Sequence, residues 1–248
     1  MAAVISPAAE VVLFDLDDTI FAHSRAVQAG ITVHRKAHGG SFAEADDAAE
    51  FARWTALEEH HYHRYLGGEL GFFEQRRERA RGYVEPWGID LTADAAADEW
   101  FGRYLLEYQA AWEMHDDTLP MLDALAGRRF GIITNAALEF QQQKLSALAI
   151  TDRFEHVVAS GEFGVAKPDP AIFRYAASLF DVDVERCVYV GDRLHTDAIG
   201  AIGADMHGIW IDRGRTAGAA ELADAAEHGV TIIHSLGELP ALLAAGPA

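Results

Sequence analysis

Val11-Val12-Leu13-Phe14-Asp15-Leu16-Asp17-Asp18-Thr19 opens the ordered reading of this chain, because it joins a buried-strand pattern to a cluster of carboxylates. Four consecutive apolar residues rich in β-formers predict a strand covered on both faces, as in a parallel sheet. Ligands of open parallel sheets bind beyond the carboxyl ends of the strands, so the acids that follow Phe14 stand where chemistry is expected. An acidic turn capping a helix would also explain them in isolation. The partners elsewhere in the chain decide between the two.

Further apolar runs occur at Phe130–Ile133, His156–Ala159, Cys187–Val190, Gly208–Ile211 and Val230–Ile233. Between them, Leu119–Leu125, Leu138–Leu148, Ala171–Phe180, Thr196–Ile202 and Ala217–Ala226 carry helical patterns. This alternation predicts β–α–β steps and a parallel sheet. The first step is anomalous: 114 residues lie between Thr19 and Thr134, against about a dozen needed for a crossover. The intervening chain has no strand pattern but helical stretches at Ser24–His38, Ala43–Leu66, Phe72–Gly82 and Ala93–Trp112, which predict an inserted helical domain. Its tryptophans, Trp54, Trp87, Trp100 and Trp112, are read as core of that bundle.

The chain has 248 residues, half of them hydrophobic, with 20 Lys plus Arg against 39 Asp plus Glu. A formal charge of −19 argues against nucleic acid polymers and anionic membrane surfaces as partners. A phosphorylated substrate would need a local positive site made by a metal ion, a few cationic side chains and backbone N–H groups. The single Cys187 excludes an internal disulfide and suits a reducing cytoplasm. Met1 to Glu10 shows no signal-peptide pattern, and no segment has the apolar length of a membrane span. Oligomeric state has no signature here.

After the second run come Thr134 and Asn135, after the third Ser160 and Gly161, and after the fourth Gly191 and Asp192, followed by Asp197. Several carboxylates at neighbouring strand ends repel one another, and a divalent cation resolves the repulsion. Magnesium suits hard oxygen ligands with positions left for water or substrate. Lys167, in the Pro-bounded turn Lys167-Pro168-Asp169-Pro170, adds a point cation near where an anion is expected.

Taken together, these residues resemble the four ordered motifs of the haloacid dehalogenase superfamily, in its phosphatase branch with a helical cap after the first strand. Asp15, Asp17 and Thr19 match Asp-x-Asp-x-Thr; Thr134 with Asn135, Lys167, and Gly191-Asp192 with Asp197 match the other three. The resemblance implies an α/β fold with a Rossmann-like parallel sheet flanked by helices and an all-helical cap. The core would comprise residues 1–20 and 116–248, the cap residues 21–115.

The resemblance also implies roles. Asp15 is the nucleophile and a metal ligand, forming an aspartyl-phosphate. Asp17 is the general acid and then base, and its backbone carbonyl also binds Mg²⁺. Asp192 is a second carboxylate on the metal, and Asp197 supports as a ligand through water or by orienting Lys167. Thr134, Asn135 and Lys167 bind phosphate. Such neutralisation is essential, since two unit charges at 4 Å repel by about 4 kcal/mol at an effective dielectric of 20.

The implied activity is Mg²⁺-dependent hydrolysis of a small phosphorylated metabolite, a sugar phosphate or nucleotide monophosphate. A phosphomutase is the alternative. Dehalogenation is disfavoured because Asp17 supplies an acid that dehalogenases lack, and a non-catalytic scaffold has no use for mutually repelling carboxylates. A two-component receiver domain is too short for the insertion. In the cap, Arg76 and Arg77 are candidates for binding an anionic leaving group, beside the plainer expectation of Glu74–Arg77 and Glu78–Arg81 pairs on a solvated helix. His23 is a candidate at the substrate entrance. His60, His61 and His63 lack a metal-ligand spacing.

Overall fold

The computed structural model describes residues 9–244; residues 1–8, which carry most of the N-terminal reading, and residues 245–248 lie outside it. The described chain divides into two compact units, Met1–Ala22 with Glu113–Ala248, and His23–Trp112.

The first unit begins with β1 (Val11–Phe14), whose four residues are all buried. The second unit follows in the chain as α1 (His23–His38), α2 (Gly40–Glu44), α3 (Asp47–Leu66), α4 (Phe72–Val84) and α5 (Asp94–Ala110). The first unit then resumes with α6 (Thr118–Ala124), β2 (Arg129–Thr134), α7 (Leu138–Ala147), β3 (His156–Ala159), α8 (Ser160–Phe163) and α9 (Pro170–Ser178). It ends with β4 (Cys187–Gly191), α10 (Gly200–Gly203), β5 (His207–Ile211), α11 (Ala219–His228), β6 (Thr231–Ile233) and α12 (Leu239–Ala244).

The six strands are all parallel, in the order β3-β2-β1-β4-β5-β6. This agrees with the parallel sheet read from the apolar runs. It is also the doubly wound order, in which the strand sequence reverses beside β1 and leaves a crevice at the carboxyl edge between β1 and β4. Phe14 is in register with Ile132 on one side and Val190 on the other, so all three strands end within two residues of one another at the same edge. Beneath them, Leu13, Ile133, Phe173, Phe180 and Tyr189 form part of a continuous core on the face of β1 that carries Val11 and Leu13.

The helical unit is organised around Trp54, which is fully buried against Tyr83, Trp100, Phe101 and Tyr104. Gly30 lets α1 approach α5, because a Cβ there would sit 2.7 Å from the Tyr108 backbone. The single helix expected over Ala43–Leu66 is two. The chain breaks at Ala45, and Asp46 restarts it by accepting a hydrogen bond from Ala49 N at 2.8 Å, an N-cap worth about 1 kcal/mol. The helix expected over Thr196–Ile202 is likewise a π-helical turn, Leu194–Ile199, running into α10.

Candidate active site

Asp15 is the first residue after β1, and its backbone N–H still donates to Val190 O of β4 at 2.8 Å. Its carboxylate therefore has the fixed direction of a strand residue, and it is 7% exposed. The chain then turns around the buried Leu16, whose carbonyl accepts from both Ile20 N and Phe21 N. Arg213, following β5, holds this turn from outside by donating to Asp18 O and Thr19 O, and is itself paired with Asp117. The buried Thr19 hydroxyl finds no partner in the structure.

Lys167 is the cation of the site. Its ammonium donates to Asp15 Oδ1, Asp197 Oδ1 and the Tyr189 hydroxyl, each at 2.7 Å, which uses all three of its protons. Tyr189 in turn donates to Ile133 O at 3.0 Å, and Asp197 Oδ2 accepts from Arg193 N at 2.9 Å. Gly191 makes room for Asp197: a Cβ at that position would lie 2.4 Å from the Asp197 side chain. Asn135 staples the loop that carries Lys167, its Nδ2 donating to Lys167 O and its Oδ1 accepting from Lys167 N.

Asp15, Asp192 and Asp197 offer oxygens that all lie within 4.8 Å of one another. Burial pushes the Asp15 carboxyl up to about 7; Lys167 opposes this, while Asp197 and Asp17 add to it. Asp192 stands well above the usual carboxylate range, through burial first and then repulsion from Asp197 and Asp15. Burial alone would lower the Lys167 pKa, but Asp15 and Asp197 outweigh it and keep the ammonium charged. Three buried or half-buried acids thus crowd together, and Lys167 pairs with two of them. That oxygen-rich, over-negative donor set fits a hard divalent cation, with Asp15 and Asp192 as side-chain ligands and Asp197 already committed to Lys167 and a backbone N–H.

Asp17 points elsewhere. Its Oδ1 accepts from Lys144 Nζ at 2.5 Å and its Oδ2 from Gln141 Nε2 at 3.1 Å. Gln141 also donates to the Thr134 hydroxyl at 2.7 Å, so Asp17 and Thr134 are joined through one side chain. Among the described residues the carboxylate of Asp17 is therefore not part of the acidic triad; the metal role read for it was that of its backbone carbonyl.

Gln141, Lys144, Tyr189 and Arg213 were not singled out from the sequence. Tyr189 offered a signal, a hydroxyl inside an otherwise apolar strand. Gln141 and Lys144 offered another, two polar groups at i,i+3 on the helix following Thr134. Arg213 offered none.

The remaining candidates belong to the helical unit. Arg77 pairs with Asp94 and Asp98 of α5, not with Glu74, which instead accepts from Gly71 N at the start of α4. The acids of α5 present two carboxylates to one guanidinium, where Glu74 would offer one. The Glu78–Arg81 pair does form, at 2.8 Å. Arg76 lies over the Phe72 and Phe101 rings. His23 bonds the Tyr108 hydroxyl at 2.9 Å, and His63 pairs with Glu59.

No helix among the described residues is long and apolar enough to cross a membrane. In full-length comparisons the chain is 33% identical over 206 residues to a glyceraldehyde 3-phosphate phosphatase of Methanopyrus kandleri, covering 82% of this chain and 84% of that one. It is 30% identical over 242 residues to a ribulose-1,5-bisphosphate 5-phosphatase of Halopiger xanaduensis, covering 95% and 99%. A match to the glyceraldehyde 3-phosphate phosphatase of Pyrococcus abyssi is local, 43% identical over 89 residues, and spans only 37% of that protein. The fold is shared with the HAD-hydrolase YfnB of Bacillus subtilis, solved bound to magnesium, with a TM-score of 0.75, 19% identity and coverage of 94% and 97%. The family model for haloacid dehalogenase-like hydrolases matches residues 9–205, and this chain belongs to that family.

Proposed function

We propose that this protein is a magnesium-dependent phosphatase of a small phosphorylated metabolite, a sugar phosphate or a nucleotide monophosphate, working through an aspartyl-phosphate on Asp15. The observation that carries the reading is the buried contact of Asp15 with Lys167 beside Asp192 and Asp197, with Asp17 two residues from the nucleophile. Relatives that cover most of the chain and are phosphatases of small phosphorylated sugars support the substrate class. A cytoplasmic setting agrees with the lone, buried Cys187.

An Asp15 oxygen attacks phosphorus while the ester P–O bond breaks, and Asp17 gives its proton to the departing alkoxide. The resulting Asp17 carboxylate takes a proton from water as that water attacks phosphorus, the Asp15–phosphate bond breaks, and inorganic phosphate leaves. The Thr134 hydroxyl, backbone N–H groups near Asn135 and Lys167, which gives up one of its three present acceptors as the phosphate arrives, hold the phosphoryl oxygens. Mg²⁺, held by Asp15, Asp192 and the Asp17 carbonyl, would neutralise the charge that opposes this attack. Asp17 also separates this reading from dehalogenation, which has no alkoxide to protonate.

In this reading the helical unit is the substrate-selecting cap, with His23 at the entrance. Arg77 is spent on Asp94 and Asp98, whereas Arg76 lies over rings with no carboxylate paired to it among the described residues, which favours Arg76 for an anionic leaving group. Its replacement by Ala would raise KM selectively for substrates carrying a second anion.

The test is release of inorganic phosphate from a panel of sugar phosphates and nucleotide monophosphates, with Mg²⁺ and with chelator. Release that requires Mg²⁺ is expected. Silence across the panel overturns the phosphatase reading, and release undiminished by chelator overturns the metal.

A further inference from the structure

Lys144 is 2% exposed, and among the described residues it shares burial with the cations Arg35, Arg79 and Lys167. A buried ammonium is costly without an anion, and the anion here is the resting Asp17 carboxylate at 2.5 Å, which takes up a proton before it acts as the acid. The ammonium is walled by the Phe21 and Phe140 rings, 4.8 and 5.3 Å from their centroids. One turn earlier on the same face of α7, Gln141 binds the other Asp17 oxygen and the Thr134 hydroxyl. Both carboxylate oxygens of a residue on an irregular loop are therefore held from a single rigid helix.

We propose that Lys144, with Gln141, is the positioning device for Asp17, setting the direction of the proton donor relative to the phosphoryl group clamped by Thr134. This rests on the phosphatase reading of Asp17. Without the two donors the Asp17 side chain samples other rotamers, and displacements of about 1 Å in a reacting group cost on the order of 100-fold in rate. The competing view is a purely structural tie between the β1 loop and α7. The two differ in one respect: a positioning role matters only where the leaving group needs a proton.

The measurement is kcat/KM, which ends at departure of the alcohol, for an alkyl phosphate and for p-nitrophenyl phosphate, whose leaving group needs little protonation. Lys144→Met is expected to lose about 10- to 100-fold on the alkyl ester and less than about threefold on the aryl ester, at or below the lower end of the roughly 10²- to 10⁴-fold that a general acid contributes. In an Asp17→Asn background, Lys144→Met is expected to add nothing, because both changes remove one function. Equal losses on the two esters, or losses that add to those of Asp17→Asn, overturn the proposal. Lys144→Gln supplies the same readout should Lys144→Met fail to fold.

Asp17→Asn alone separates the two levels. If it is selective for the alkyl ester and Lys144→Met is not, the positioning role fails while the acid stands. If it is not selective, the acid role falls and the positioning role with it.

Discussion

Lys167 Nζ lies 2.7 Å from Asp15 Oδ1, closing a buried ion pair between residues 152 positions apart in the chain. Because Asp197 and Tyr189 complete the same ammonium, the lysine compensates charge for two strand ends at once. Removing one member of such a cluster leaves charge buried and unpaired, which typically costs about 3–5 kcal/mol. Lys167→Met should lower stability by that order in urea denaturation with chelator at pH 8. The loss should shrink as pH falls toward 7, because Asp15, already at about 7 beside Lys167, stands higher still without it and takes up its proton first in the variant.

Asp15→Asn keeps the shape of the side chain but removes the attacking anion. Turnover should fall by on the order of 10⁴ or more, as for other nucleophile replacements, while circular dichroism and melting show a folded protein. Activity within about tenfold of wild type would end the nucleophile assignment.

Burial first, and then repulsion from Asp197 and Asp15, push the Asp192 carboxyl well above the usual carboxylate range, so ionising it strains the metal-free fold. A carboxyl whose folded pKa exceeds its unfolded value binds more protons when folded, so its contribution to stability fades as pH rises through the folded pKa. Asp192→Asn should therefore melt higher than wild type in chelator, by a margin that grows with pH. Saturating Mg²⁺ should reverse the order, since a ligand at a hundredfold excess over its Kd adds about 2.7 kcal/mol to the protein that binds it. Thermal melts of both proteins, with Mg²⁺ and with chelator, decide the matter.

His34, buried in the helical unit against Trp100 at 4.4 Å and His38 at 5.1 Å, has its pKa lowered from 6.5 to about 4 by burial, with His38 and Arg103 adding repulsion. Between those values the unfolded chain binds a proton that the folded one refuses, so stability is lost as pH falls from 6.5 toward 4. The full effect is on the order of 3 kcal/mol. His34→Phe should flatten this slope. Tryptophan fluorescence reports it well, because Trp210 is the one tryptophan of five outside the helical unit.

Much of the fold was legible along the chain. The runs at Val11–Phe14 and His156–Ala159 are the observed strands residue for residue, because burial on both faces demands uninterrupted apolar residues. The break at Ala45–Asp46 was hidden, since a helical period continues across a cap that is recognised only when Asp46 accepts from Ala49 N. In the site, Asp15, Asp17 and Asp192 stood out because they follow apolar runs with charge, and Lys167 because two prolines bound the turn that carries it.

Sequence by itself determined the class of sheet and the identity of the residues at its carboxyl edge, because strand burial and chain order are local and periodic properties. Tertiary structure alone decided which of them meet. That β1 lies between β2 and β4 brings Asp15 beside the loops carrying Lys167 and Asp197, and no local pattern encodes that order. It also decided that Asp17 turns to Lys144 and Gln141, and that Arg77 chooses Asp94 and Asp98 over Glu74. Pairings of this kind depend on distance and desolvation, which exist only once the elements have packed.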